Sequence, residues 1–148
     1  MEKLFVNKTI EINAPASKVW NALIRREYTD QWALEFTGGA EFHIESDWKL
    51  GSTVLWTGQD GSVIVQGNVT ALEPQKLLRF TVFDVRGEKL PVTDEDGITY
   101  ELIEQNGKTL LRLSQGDFSA MAEGEKYRDL STEIWDRVLT KVKELAEK

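Results

Sequence analysis

Any chemistry done by this chain must be assembled from few parts. It holds one histidine, His43, and no cysteine. A Ser-His-Asp triad or a multi-histidine metal site therefore has at most one base or ligand to draw on. Disulfides, zinc fingers, thiol nucleophiles and iron–sulfur ligation all need cysteine sulfur and fall away together. In Glu41-Phe42-His43-Ile44-Glu45 strand alternation puts Phe42 and Ile44 on the apolar side and His43 with both glutamates on the other. The expectation is a solvated strand-face histidine, with general base or ligand as its functional alternative. Asp94-Glu95-Asp96-Gly97 gathers carboxylates without the spacing of an EF-hand and reads as a solvated turn. There is no glycine-rich phosphate loop, no Gly-x-Ser-x-Gly elbow and no His-Glu-x-x-His. No catalytic constellation, metal or cofactor is expected, and what remains conspicuous is aromatic: Trp20, Trp32, Trp48, Trp56 and Trp135.

Five tryptophans need a scaffold. At 148 residues the chain fits one domain, 1–148, large enough to bury a core without disulfides or a structural metal. Hydrophobic residues at 41% and charged residues at 29% are those of a folded globular chain. The balance of 18 basic to 25 acidic side chains gives a net charge of −7, whose field repels phosphate backbones and anionic lipid surfaces. Neither nucleic acid nor membrane is an expected partner. The densest basic spot, Arg25-Arg26, is followed at once by Glu27. No apolar run reaches membrane-spanning length, and Met-Glu-Lys-Leu-Phe-Val-Asn-Lys lacks the pattern of a secretory signal, so a cytosolic location is expected.

Residues 4–12 mix β-branched and apolar types as a strand does, and Asn13-Ala14-Pro15 then suits the first turn of a helix. In that helix Val19, Trp20, Leu23 and Ile24 share one side, and a second short helix over Tyr28–Phe36 presents Trp32 and Phe36. From Gly38 onward the spacing changes to an antiparallel meander, with strands near 39–46, 53–58, 62–72, 77–85, 97–105 and 108–118. Asn106-Gly107 marks a two-residue hairpin because both positions tolerate positive φ. A polar loop covers 86–96. Tyr127, Leu130, Ile134, Val138, Val142 and Leu145 then recur every three or four residues, predicting one long helix from about 122 to 146. An antiparallel sheet must bury its apolar face, and this helix is the element long enough to cover it.

This order of elements, with its local motifs, resembles the START-like or SRPBCC helix-grip superfamily, and within it the group named after activators of the heat-shock protein 90 ATPase. Asn13-Ala-Pro-Ala-Ser-Lys-Val-Trp-Asn-Ala-Leu23 is similar to the group's first-helix motif, and Trp32 to its following tryptophan. Ser46-Asp-Trp-Lys-Leu-Gly-Ser-Thr-Val-Leu-Trp56 resembles its Asp-x-Arg-x-Gly-Gly turn, with Lys49 in place of arginine and Ser52 in place of the second glycine. Gly67 to Thr81 resembles its Gly-x-Val and Glu-Pro strand pair. Tyr100 to Phe118 resembles its last strand, with Gln115 at a His/Gln position and Asp117 where glycine is usual. Together these cover nearly the whole chain. The resemblance implies an α+β helix-grip fold, β-α-α-β6-α, in which a curved antiparallel sheet wraps round the C-terminal helix and encloses an apolar cavity.

The motif sets the phase of each strand. Leu111, Leu113 and Gln115 turn inward on 108–118, Leu78, Phe80 and Val82 on 77–85, and Val54 and Trp56 on 53–58. The cavity wall is then Trp32, Phe36, Trp56, Phe80, Val82, Tyr100, Leu113, Gln115, Met121 and Trp135, with Gln115 and Tyr100 as orienting groups. Each has a plain alternative: the tryptophans are core packing, and Gln115 makes an internal hydrogen bond. Trp48, at a turn, is expected to face outward as a partly exposed cover, and Trp20 to be ordinary core. The expected function is non-catalytic binding of a small hydrophobic or amphipathic molecule or lipid, by a monomer or weak homodimer. The alternatives are a co-chaperone with a chaperone partner, and a cyclase- or hydrolase-like enzyme using the same cavity.

Overall fold

A computed structural model of the protein describes residues 4–37, 42–58, 60–81, 83–84, 97–116 and 123–148. The chain opens on β1 (Val6–Ile12), which buries Val6 and Ile12 and turns Asn7, Thr9 and Glu11 outward. Pro15, at φ −68° and ψ 158°, ends the extended chain and starts α1 (Ala16–Ile24). No local side chain caps α1. Instead Glu104, from a strand far along the chain, accepts the Ala16 N–H at 2.7 Å, placing a carboxylate at the positive end of the helix dipole. α1 buries Ala16, Val19, Trp20, Ala22 and Leu23. Next come α2 (Arg26–Trp32) and a 3-10 turn over Ala33–Thr37, so the short helix expected at Tyr28–Phe36 begins earlier and tightens its pitch after Trp32.

The remaining strands are β2 (Phe42–Glu45), β3 (Thr53–Gly58), β4 (Val63–Glu73), β5 (Leu77–Phe80), β6 (Phe83–Asp84), β7 (Gly97–Gln105) and β8 (Lys108–Gly116). They run β1-β8-β7-β5-β4-β3-β2, with β6 on β4, in antiparallel pairs. Asn106 and Gly107, at φ 54° and 78°, make the tight hairpin that their sequence predicts between β7 and β8.

The strand expected over 77–85 divides in two, and Gly67 shows why. A Cβ on Gly67 would lie 1.7 Å from the Thr81 carbonyl oxygen, so β4 and the segment leaving β5 cross almost in contact. Thr81 N–H donates to Asn68 O at 2.9 Å, and Thr81 Oγ1 accepts from Asn68 N–H, also at 2.9 Å. A register shift between Val69 and Ala71 accommodates the crossing, and the chain rejoins β4 at Val65 and Gln66 as β6.

The last element is α3 (Gly124–Glu147), 24 residues and about 36 Å long. It buries Trp135, Val138, Leu139, Val142 and Ala146, and packs along β1, α1, α2 and the 3-10 turn. Lys8 on β1 meets Asp136 at 2.8 Å, and Glu35 on the 3-10 turn receives Lys141 at 2.9 Å and Arg137 at 3.2 Å. The Lys141 hydrogen bond, aided by the charges of Lys141 and Arg137 against a smaller burial effect, holds the Glu35 carboxyl below its usual range. The architecture is the α+β helix grip. No helix among the described residues is long and apolar enough to cross a membrane.

Candidate functional site

The inward faces of the sheet present aromatic side chains because strand alternation brings them there. β3 turns Val54 and Trp56 inward, β5 Leu78 and Phe80, β7 Ile98, Tyr100 and Leu102, and β8 Leu111 and Leu113, all buried. Their rings join those of α2, the 3-10 turn and α3 in one continuous chain. Phe42 meets Trp56 at 5.5 Å between centroids, Trp56 meets Phe36 at 5.1 Å, and Phe36 meets Trp135 at 5.2 Å. Trp135 continues to Tyr100 at 6.1 Å, Tyr100 to Phe80 at 5.9 Å, and Phe80 to Trp48 at 5.4 Å. Trp32 closes the cluster against Phe36 at 6.5 Å and Trp135 at 6.4 Å. Most contacts are edge-to-face, the arrangement favoured by the ring quadrupole. Rings thus bridge the space between the central strands and α3.

The hub of this cluster is Phe36, which touches Trp32, Trp56 and Trp135. Those three tryptophans are 0%, 5% and 0% exposed. Phe36 itself, carried on the short 3-10 turn, is only half-buried. The cluster therefore has its hub on the border with solvent, as it has Trp48 at its far end.

The tryptophan N–H groups separate their owners. Trp32 donates to Ala22 O at 2.8 Å and Trp48 to Ile24 O at 3.0 Å, so two side chains from outside α1 satisfy carbonyls of its last turn. Trp135 donates to Gln115 Oε1 at 2.7 Å. Gln115 does face α3, and its oxygen is taken by an internal bond. Trp56 Nε1 is buried with no acceptor among the described residues. Burial pushes the Tyr100 phenol up, well above its ordinary range, which keeps it neutral. Val82 and Met121 lie outside the described residues, as do Asp94, Glu95 and Asp96.

Two expectations are corrected. Trp48 is partly exposed, as expected of a cover, but does not face outward: its ring lies on Phe80, because its backbone sits at φ 51° in the left-handed region and turns the side chain back onto the sheet. His43 is not a freely solvated strand residue. α2 lies against β2, the edge strand, and brings Asp30 Oδ1 within 2.7 Å of His43 Nδ1, leaving the histidine side chain 21% exposed. Arg26 links the same group, 3.6 Å from Asp30 and 2.8 Å from Glu45. An Asp-His pair is the orienting half of an acid–base device, yet alternation puts His43 opposite Phe42 and Ile44, away from the aromatic interior. Among the described residues no three His, Cys, Asp or Glu side chains gather as a metal site requires. Phe42, which belongs to the ring chain, was legible from the alternation that sets His43 aside, whereas nothing local marked Trp48.

The outer face of the sheet is chemically different. Asn7, Ser114, Thr99 and Arg79 form one cross-strand row over β1, β8, β7 and β5 in a polar trough of about 730 Å³. Its long side chains are paired with neighbours, Arg79 with Thr99 at 2.9 Å and Arg112 with Glu101 at 3.4 Å.

The family model described as "Activator of Hsp90 ATPase homolog 1-like protein" matches residues 13–147, from the start of the first-helix motif to the end of α3. The chain belongs to this family. The motifs of the first helix, the Trp48 turn and the β8 strand thus carried a resemblance to the family itself. Solved structures agree on the fold of this Hsp90-ATPase-activator homologue-like chain. It superposes on ChR145 from Cytophaga hutchinsonii with a TM-score of 0.74 at 24% identity, covering 99% of this chain and 97% of that one. The Aha1 dimer from Colwellia psychrerythraea gives a TM-score of 0.71 at 18% identity over 97% and 96% of the two chains. Protein MLL2253 from Mesorhizobium loti gives 0.67 at 20% identity over 94% and 95%. Among curated proteins none matches the sequence.

Proposed function

We propose that this family member binds a small hydrophobic or amphipathic molecule, without chemical conversion, in the aromatic space between the sheet and α3. The observation that carries the reading is the half-open hub: Phe36 touches three buried tryptophans and is itself at the solvent border. A guest displacing or flanking Phe36 would gain contact with rings already desolvated, and affinity would rise with apolar surface removed from water. Gln115, committed to Trp135, serves to fix that ring rather than to contact the guest.

The reading makes a quantitative demand on a homologous series of alkyl ligands. Each added methylene contributes about 0.8 kcal/mol, so affinity should climb roughly fourfold per carbon until the chain outgrows the space. Titration of the intrinsic tryptophan emission with straight-chain 2-alkanones of six to twelve carbons (roughly the span of this ladder) measures it. A flat or unsaturable response across the series ends the proposal.

A second reading draws on the family's description and on the dimeric Aha1 neighbour. It has the chain engage a heat-shock protein 90 through its outer surface, as a monomer or weak homodimer. Stimulation of that chaperone's ATPase by the added protein, with co-sedimentation of the two, supports this reading; no stimulation and no complex refutes it.

A further inference from the structure

We infer that the guest carries a neutral hydrogen-bond acceptor with no donor of its own, a ketone, ester or tertiary amide carbonyl, to which the indole N–H of Trp56 donates. The inference rests on the binding reading above and specifies its ligand. Trp56 is 5% exposed and its Nε1 is buried without an acceptor, while Trp32, Trp48 and Trp135 find theirs at 2.8, 3.0 and 2.7 Å. An indole nitrogen is a donor only, so an acceptor is the one group that satisfies it. Three indoles pack on Phe36 at the solvent border; the fold supplies acceptors for those of Trp32 and Trp135 and leaves that of Trp56 unpaired.

Charge selects among acceptors. The rings next to Trp56, Phe36 at 5.1 Å and Phe42 at 5.5 Å, are apolar. The ionic groups of the neighbouring 3-10 turn and α3 are bound to each other, Glu35 with Lys141 and Arg137. A carboxylate entering here would lose water without gaining a counter-ion. An alcohol would bring a hydroxyl proton needing its own acceptor. A carbonyl brings acceptance alone. Thr29 Oγ1, the other unpartnered buried side-chain atom among the described residues, lies on α2 and outside the ring chain around Phe36.

The test compares 2-nonanone with 2-methyl-1-nonene, in which a methylene replaces the carbonyl oxygen in nearly the same shape. The unmodified protein should bind the ketone about 5- to 150-fold more tightly, equivalent to about 1–3 kcal/mol. In Trp56→Phe the ketone-to-alkene affinity ratio should fall by about 5- to 150-fold, because the carbonyl is then buried without a donor. A readout free of any folding defect is the indole ¹H–¹⁵N resonance of Trp56 in the unmodified protein, which should move downfield with the ketone and not with the alkene. Equal affinities, or an indole resonance that ignores the carbonyl, overturn the inference and leave apolar binding intact. Binding of neither ligand removes both.

Discussion

Trp56 and Trp32 offer the same ring in opposite states of hydrogen bonding, so one substitution made twice should have unequal cost. Trp→Phe at either site truncates a buried indole and forfeits similar contacts, a penalty shared by the pair. At Trp32 it also deletes the bond to Ala22 O and strands a buried carbonyl at the end of α1. A hydrogen bond lost with its partner left unsatisfied costs about 1–3 kcal/mol. At Trp56 the same change removes a donor that has no acceptor, so a penalty of similar size, about 1–3 kcal/mol, disappears from the folded state. Trp56→Phe should therefore be the more stable variant by about 2–6 kcal/mol, or roughly 5–20 °C in Tm for a chain of this size. Trp135→Phe should fall between them, because the stranded group, Gln115 Oε1, belongs to a partly exposed side chain that can turn to water. Urea unfolding followed by far-UV circular dichroism gives the comparison, with equal m-values as the check that only stability has changed. If Trp56→Phe proves as damaging as Trp32→Phe, the Trp56 N–H is satisfied in solution and the reasoning about an unmet donor is wrong.

Gln115→Leu should destabilise the free protein by about 1–3 kcal/mol, since it leaves the buried Trp135 N–H unpaired; chemical denaturation reads this directly. Gly67→Ala should cost about 3 kcal/mol or more, or abolish folding, because the added methyl meets the Thr81 carbonyl at 1.7 Å and backbone on both sides must move; soluble yield and thermal melting report it. Glu35 has a folded-state pKa below its ordinary 4.5, so its share of stability is present above that value and is lost as pH falls through the lower folded value. Acid titrations of stability should accordingly be shallower below about pH 4.5 in Glu35→Gln than in the unmodified protein, and parallel curves would refute the linkage.

Much of the fold could be read before any coordinates. Alternation, with its phase taken from the family motifs, placed Trp56, Phe80, Leu113 and Gln115 on the inner face, helical spacing placed Trp135 on the buried stripe of α3, and Asn106-Gly107 fixed the hairpin between β7 and β8. These signals are local and periodic, and sequence carries them well. What escaped reading depends on contacts between distant residues. The break between β5 and β6 comes from Gly67 on β4 meeting Thr81, just past the neighbouring strand β5. Trp48 turned inward through a left-handed backbone that a tryptophan rarely adopts. The Asp30–His43 pair needs α2 laid against β2, and the acceptors of Trp32 and Trp48 are carbonyls of α1 ten and twenty-four residues back. Which aromatic rings are buried together was thus legible, and the pairing of their N–H groups, which singles out Trp56, was not.

The tryptophans that finish α1 set a limit on anyone redesigning the interior. Trp32 lines the aromatic space with one edge and holds the end of a helix with the other, while Trp48 does the same from beside Phe80. On the proposed binding reading, enlarging the interior by shrinking either ring would also fray α1, so selection for new guests should keep meeting poorly folded variants at these two sites. Trp56 and Phe36 carry no such second duty among the described contacts, and libraries concentrated there should change specificity while the framework survives.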